Sequence, residues 1–231
     1  MVNINELKAK ILSEAQGSRR GLPFKKLNVN HAEQTFTVKD GEIEKTLGKE
    51  AEIFVVGEYS QYYFYDPKLE RITMLSQITK PALLKQAIDL KSGKKVSELV
   101  EKLKAQGLKP TYTTILVILL KVDNTWEEAI FYLKGAVLQS WLEITKQLQQ
   151  QGTTHIAKLL KLTLKSQKKG AVKYATLTLL DSQDTEDKDI LAKAVILLDR
   201  FKEEVKKYNT YEPIEELPVE PDESVEDGVE F

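Results

Sequence analysis

EAEIFVVGEYSQYYFYD, residues 50–66, is the stretch on which the fold turns. It is dense in β-branched and aromatic residues, which suit a pleated, half-buried surface, so it reads as one long strand. Gly57 marks a bulge or bend within it. Alternation sends Tyr59, Tyr63 and Tyr65 to one face and Tyr62 and Phe64 to the other. One set belongs to a core. The other faces solvent or lies under a covering helix. Asp66-Pro67 ends the run, and RITML, residues 71–75, returns as a partner strand.

Upstream, KLNVN (26–30) and QTFTV (34–38) alternate as strands, with turn chemistry at Asp40-Gly41. Before them, INELKAKILSEA (4–15) places Ile4, Leu7, Ile11 and Leu12 on one helical stripe. GSRRGLP (17–23) is a loop with two adjacent arginines. Downstream, PALLKQAIDL (81–90) and VSELVEKLKAQ (96–106) read as short helices, the second stopped by Gly107 and Pro110. TTILVILLKV (113–122) is a continuous apolar run of strand length, predicted to be covered on both faces, and EAIFYLKG (128–135) comes back beside it. AVLQSWLEITKQLQQQ (136–151) reads as a helix. So does TEDKDILAKAVILLDRFKEEVKKYN (185–209), with acids in its first turn and Lys206 and Lys207 in its last.

The clearest hairpin is 156–180. With QKKG as a four-residue loop, Lys165 faces Val172, Thr163 faces Tyr174 and Lys161 faces Thr176, all on one side. Leu160, Leu162, Leu164, Ala175, Leu177 and Leu179 form the other, apolar side. Lys168 and Lys169 charge the tip, and Lys173 stands near it. A face of lysine and threonine with one exposed tyrosine is either an ordinary solvated surface or a platform for single-stranded nucleic acid. Ammonium groups would track its phosphates, and the ring would stack on its bases. Tyr59, Tyr63 and Tyr65 are candidates for the same stacking role.

Composition narrows the function. The 231 residues include no cysteine, which removes disulfides, thiolate metal sites and a cysteine nucleophile. The only histidines, His31 and His155, lie far apart and in no ligand motif. Phosphate-loop, dinucleotide, nucleophile-elbow and zinc-protease signatures are all missing. Asp181, Asp184, Asp187 and Asp189 cluster, but helix capping and first-turn electrostatics explain them better than a metal site. No catalytic set, cofactor or metal is expected, and no apolar run reaches membrane-spanning length.

The net charge of −1 hides a division. Residues 212–231 hold nine acidic groups and no lysine or arginine, which leaves 34 basic against 26 acidic groups in residues 1–211. Three prolines and few apolar groups make 212–231 a disordered tail by composition.

These parts resemble single-stranded DNA-binding proteins of the replication type, most closely the versions encoded by bacteriophages. The resemblance rests on a basic, strand-rich body with tyrosines and on an acidic tail, DESVEDGVEF, ending in Phe231. Bacterial relatives end in Ile-Pro-Phe, whereas this chain ends in Val-Glu-Phe. The fold implied is α+β: an antiparallel β-barrel core of the oligonucleotide-binding (OB) type over residues 1–211, with helical insertions at 81–106 and 136–151, a long C-terminal helix and the tail at 212–231. The implied function is sequence-independent binding and protection of single-stranded DNA in replication or recombination. Asp222, Glu223, Glu226, Asp227, Glu230 and Phe231 would recruit replication or recombination proteins and compete with DNA for the basic groove. The implied location is the cytoplasm, that of the host cell for a phage protein, and such folds often pair into oligomers. Two rivals use the same residues: an RNA- or duplex-binding module, and a phage assembly or interaction protein whose acidic tail binds a basic partner without nucleic acid.

Overall fold

The computed structural model describes residues 21–170 and 172–210. The expected helix at 4–15 and the expected acidic tail lie outside the described residues.

Nine strands form one sheet: β1 (Lys25–Asn30), β2 (Thr35–Asp40), β3 (Ile43–Gly48), β4 (Glu50–Asp66), β5 (Arg71–Leu75), β6 (Thr111–Val122), β7 (Thr125–Leu133), β8 (Leu159–Lys169) and β9 (Val172–Gln183). A short 3-10 helix (Pro81–Gln86) and helix α1 (Val96–Ala105) follow β5. Helix α2 (Gly135–Gln150) follows β7, and α3 (Lys188–Tyr208) follows β9. The strand order is β3-β2-β1-β7-β6-β4-β8-β9, with β5 on the far end of β4. All pairs are antiparallel except β1 with β7, where Lys25–Leu27 run parallel to Ala129–Phe131.

The two central strands take their places for different reasons. β6 is apolar on both sides and is covered on both, as its unbroken run predicts: Leu116, Ile118 and Leu120 belong to one core, and Ile115, Val117 and Leu119 to another. β4 alternates, sending Ile53 and Val55 to the first core and Phe54 and Tyr59 to the second. Its pairing with β6 shifts between Val55 and Gly57, the bulge that Gly57 signals.

Helix α2 fills the first core with Val137, Leu138, Trp141, Ile144 and Leu148. Side chains from β1, β2, β4, β6, β7, β8 and β9 join the same cluster, so the sheet curls around this helix. Helix α3 covers the opposite face with Ile190, Ala194, Leu197, Phe201 and Val205. Asp187 caps α3 by accepting from the Asp189 and Ile190 amides, which accounts for one member of the aspartate cluster as expected.

The expected OB-type closed barrel does not form. The sheet is open and mixed, and the reason is visible at the β9 edge. Closing a barrel requires another strand to take the outward amides of the last one. Here the Ala175 amide donates to His31 Nδ1 (3.1 Å) on the β1–β2 turn, and the Leu177 amide donates to Ser140 Oγ (2.9 Å) on α2. Gln34 of the same turn donates to Ser166 Oγ (2.8 Å). The curled ends are thus clasped by side chains, and α2 occupies the space that a barrel interior would fill. Helices 81–106 and 136–151 are accordingly not barrel insertions. α2 is a core layer, and the 81–106 segment builds a separate cap.

Ser140 offers a direct test of this clasp. It is buried, and Ser140→Ala leaves the Leu177 amide without an acceptor. Chemical denaturation should then show a loss of about 1–3 kcal/mol. An unchanged midpoint and slope would mean that water takes over the amide and the clasp contributes nothing.

The cap has its own core of Phe64, Met74, Leu84, Ala87, Val96 and Val100. Asp89, 1% exposed, ties it together: its carboxylate accepts from the Leu75 amide (2.7 Å), the Ser92 amide (2.9 Å) and Ser92 Oγ (2.6 Å). Asn209, just past α3, is stitched to the same region through Ile78, whose amide it accepts (2.8 Å) and to whose carbonyl it donates (2.7 Å).

Candidate nucleic-acid interface

The β8–β9 hairpin forms where expected but in a different register. Lys165 pairs with Thr176, Thr163 with Thr178 and Gln167 with Tyr174, and only residues 170 and 171 connect the strands. Gly170 takes φ +61°, as a two-residue hairpin turn requires. The displacement is four residues, an even number, so every side chain keeps its expected face. Leu160, Leu162, Leu164, Ala175 and Leu177 enter the core around α2. Lys161, Thr163, Lys165, Tyr174 and Thr176 share the outer face, with Tyr174 beside Gln167 and not Thr163.

The lysines of the hairpin divide into two kinds. Lys161 Nζ is 2.8 Å from Glu50 Oε2 on β4, and that hydrogen bond raises its pKa. Lys121 pairs with Glu52 next to it at 3.0 Å, so this part of the outer face is a ladder of matched charges. Lys161 is therefore already neutralised by protein. Lys165, Lys168 and Lys173 are exposed and make no ion pair among the described residues. Lys168 and Lys173 stand directly opposite each other, a like-charge pair that costs stability unless an anion lies between.

The β4 tyrosines also divide. Tyr59 is 6% exposed, its ring 4.7 Å from that of Phe201 and with Lys80 Nζ 4.0 Å from its centroid. Burial raises its pKa, and no base can reach the ring in this arrangement. Lys80, for its part, has a lowered pKa because burial and Lys202 outweigh Glu58. Tyr65 is 48% exposed and Tyr63 half-buried; the β4–β5 register shifts between Phe64 and Tyr65. Tyr62 packs edge-on against Tyr112 with centroids 5.3 Å apart.

The two groups of candidate residues are not brought together. Glu50 pairs with Thr163 of the hairpin, whereas Tyr63 pairs with Leu75 of the cap. Along an extended strand those positions on β4 are about 43 Å apart.

What the tyrosines do have beside them is the cap, whose charge the motif-by-motif reading overlooked. Residues 67–110 hold ten lysines and arginines against four acids. Across the rest of the described residues the two signs balance at twenty each. All ten cations are exposed, while Asp89, one of the four acids, is buried. Lys80 lies over the Tyr59 ring and donates to the Glu58 carbonyl, and the eight others, Lys91 apart, form no ion pair among the described residues. Lys91 Nζ donates to the Ile72 carbonyl, beside the exposed Ile72 that pairs with Tyr65. A sliding count of charge along the chain, independent of any motif, is the signal that finds this surface.

The two histidines are each held by protein contacts. His31 joins the clasp, and His155 sits with its ring edge-on to Trp141 (5.3 Å) and its Nε2 2.6 Å from Glu58 Oε2, off the angle of a good hydrogen bond. Among the described residues, no group of three or more histidine and acidic side chains is placed to hold a metal ion, and no helix is long and apolar enough to cross a membrane. Comparison of the chain with protein-family models, with curated proteins and with solved structures finds no match.

Proposed function

We propose that the protein binds single-stranded nucleic acid, DNA in the first instance, largely without regard to sequence and without catalysing a reaction. The observation that carries this reading is the cap: the whole positive excess of the described residues lies in 67–110, beside Tyr63 and Tyr65. Unpaired ammonium groups exchange condensed counterions for phosphates, and an exposed ring stacks on any base. The hairpin tip, with Lys165, Lys168, Lys173 and Tyr174, is a second contact region for the same nucleic-acid strand; the side chain of Lys169, the remaining tip candidate, lies outside what the structure describes. The acidic residues 212–231 would compete for these cations and, with Phe231, engage replication or recombination proteins. Such a protein works in the cytoplasm, of the host cell where a phage encodes it.

A second reading has its own support. The Lys161–Glu50 and Lys121–Glu52 ladder is what an ordinary sheet surface looks like. It favours an interaction protein whose acidic tail binds a basic partner.

Fluorescence titration with oligo-dT over a salt series separates them. Affinity should fall with salt at a log–log slope of about −0.7 per phosphate contact. A duplex should compete weakly. No binding at low salt, a salt-independent affinity or a preference for duplex would defeat the nucleic-acid reading.

A further inference from the structure

Between β5 and α1 the cap opens into a cavity of about 260 Å³. Pockets for drug-sized ligands run about 300–1,000 Å³, so this one suits a smaller group. Buried Met74 forms its floor, and the half-buried Leu99 and Leu103 form its apolar wall. α1 turns Leu99, Lys102 and Leu103 toward it at i, i+3 and i+4, which is one helical face. Glu98 and Glu101 fall off that face and do not line the cavity. Lys94 and Lys102 do line it, both exposed and without an ion pair among the described residues.

Two features shape the cavity in advance of any ligand. The β4–β5 register passes from Phe64–Met74 to Tyr65–Ile72, so Thr73, on the cavity wall, is the extra residue of a bulge. Bulges concentrate beside functional sites because they re-aim the strand. Asp89, also on the wall, locks the turn that follows it against β5 through its hydrogen bonds to Leu75 and Ser92. Its single negative charge is outweighed by the two lysines.

We propose that this cavity is a nucleotide pocket, which takes one base against Met74, Leu99 and Leu103 with an adjoining phosphate on Lys94 and Lys102. The proposal rests on the nucleic-acid reading of the cap and adds the place where the strand is gripped. A base has apolar faces and its phosphate is an anion, so an apolar wall beside two free ammonium groups matches both halves. A bare phosphate would use the lysines and leave the aliphatic wall empty. The position is also right. Ile72, which pairs with the exposed Tyr65, immediately precedes the cavity on β5, so one strand can reach both.

The chain has two methionines, Met1 and Met74, so methyl-labelled methionine gives the full protein a single reporter inside the cavity. The Met74 signal, assigned with Met74→Leu, should shift on adding oligo-dT and also on adding thymidine monophosphate, through the ring current of the base. Lys94→Gln combined with Lys102→Gln should weaken monophosphate binding at least about tenfold, the scale of one lost charge-assisted hydrogen bond. Lys104→Gln, exposed on the same helix but off the cavity, should leave it unchanged. Oligo-dT that binds without moving the Met74 methyl overturns the pocket and leaves the nucleic-acid reading standing. Absence of oligo-dT binding defeats both. An equal loss in Lys104→Gln overturns the pocket in favour of diffuse charge. So does the same Met74 shift from inorganic phosphate or a glutamate-rich peptide, since no base would then be needed.

Discussion

Trp141→Ala should lower the unfolding free energy by about 3–5 kcal/mol, the range for truncating a large buried aromatic. Trp141 is fully buried and sits midway along α2, where the curled sheet converges. Removing its ring leaves a void that strands from both ends of the sheet cannot both collapse into, because their ends are clasped by His31, Gln34 and Ser140. Domains are stable by only about 5–15 kcal/mol, so the variant should be partly unfolded or unfold at much lower urea. Trp141→Phe is the informative companion. The indole Nε1 has no hydrogen-bond partner among the described residues, so Phe removes an unsatisfied donor while keeping most of the volume. Its loss should be well under half that of Ala. A loss below about 1 kcal/mol for Trp141→Ala would mean that α2 is not the seat of the sheet.

The elements legible in the sequence were those whose burial has a local period. β6 reads correctly because both its faces are covered, and α2 and α3 because their apolar positions recur at helical spacing. The barrel was misread because strand alternation is the same in a closed barrel and in a sheet wrapped round a helix. What differs is long-range. The parallel pairing of Lys25–Leu27 with Ala129–Phe131 spans about a hundred residues and leaves no local trace. One trace did exist: Ser140 stands on the apolar face of α2, a polar residue where the pattern asks for an apolar one, and it is there to accept the Leu177 amide. The hairpin register fails for a related reason. A slip of four residues keeps every side chain on its face, so the hydrophobic pattern cannot distinguish the two registers, and only the turn at Gly170 decides.

The candidate site was legible only in part. Alternation correctly grouped Tyr59, Tyr63 and Tyr65, but which of them is covered depends on where α3 ends above β4. Tyr208, near that end, accepts from Gln61 (2.8 Å), so Tyr59 lies under the helix and is buried while Tyr65 is exposed. Lys161 looked equivalent to Lys165 because both face outward. The neighbour that separates them, Glu50, is more than a hundred residues away in sequence.

The cap and the hairpin can be set against each other by removing charge from one at a time. Lys68, Arg71 and Lys95 are exposed cap residues without ion pairs among the described residues. Replacing all three by Gln should reduce the salt slope for oligo-dT by about 2 if each contacts one phosphate. With counterion release as the driving term, that is a loss of roughly two to three orders of magnitude in affinity near 50 mM salt, shrinking as salt rises. Tyr65→Ala should behave differently, costing about 1–3 kcal/mol with the slope unchanged, because stacking releases no counterions. Lys161→Gln should do little, since Glu50 already holds that ammonium. The matching triple at the hairpin, Lys165, Lys168 and Lys173 to Gln, should cost less than the cap triple. It should also relieve the Lys168–Lys173 repulsion, so its thermal stability should hold or rise. The reverse ranking, with full affinity in the cap triple and collapse in the hairpin triple, would place the strand along β8–β9. The charge of 67–110 would then need another anion to explain it.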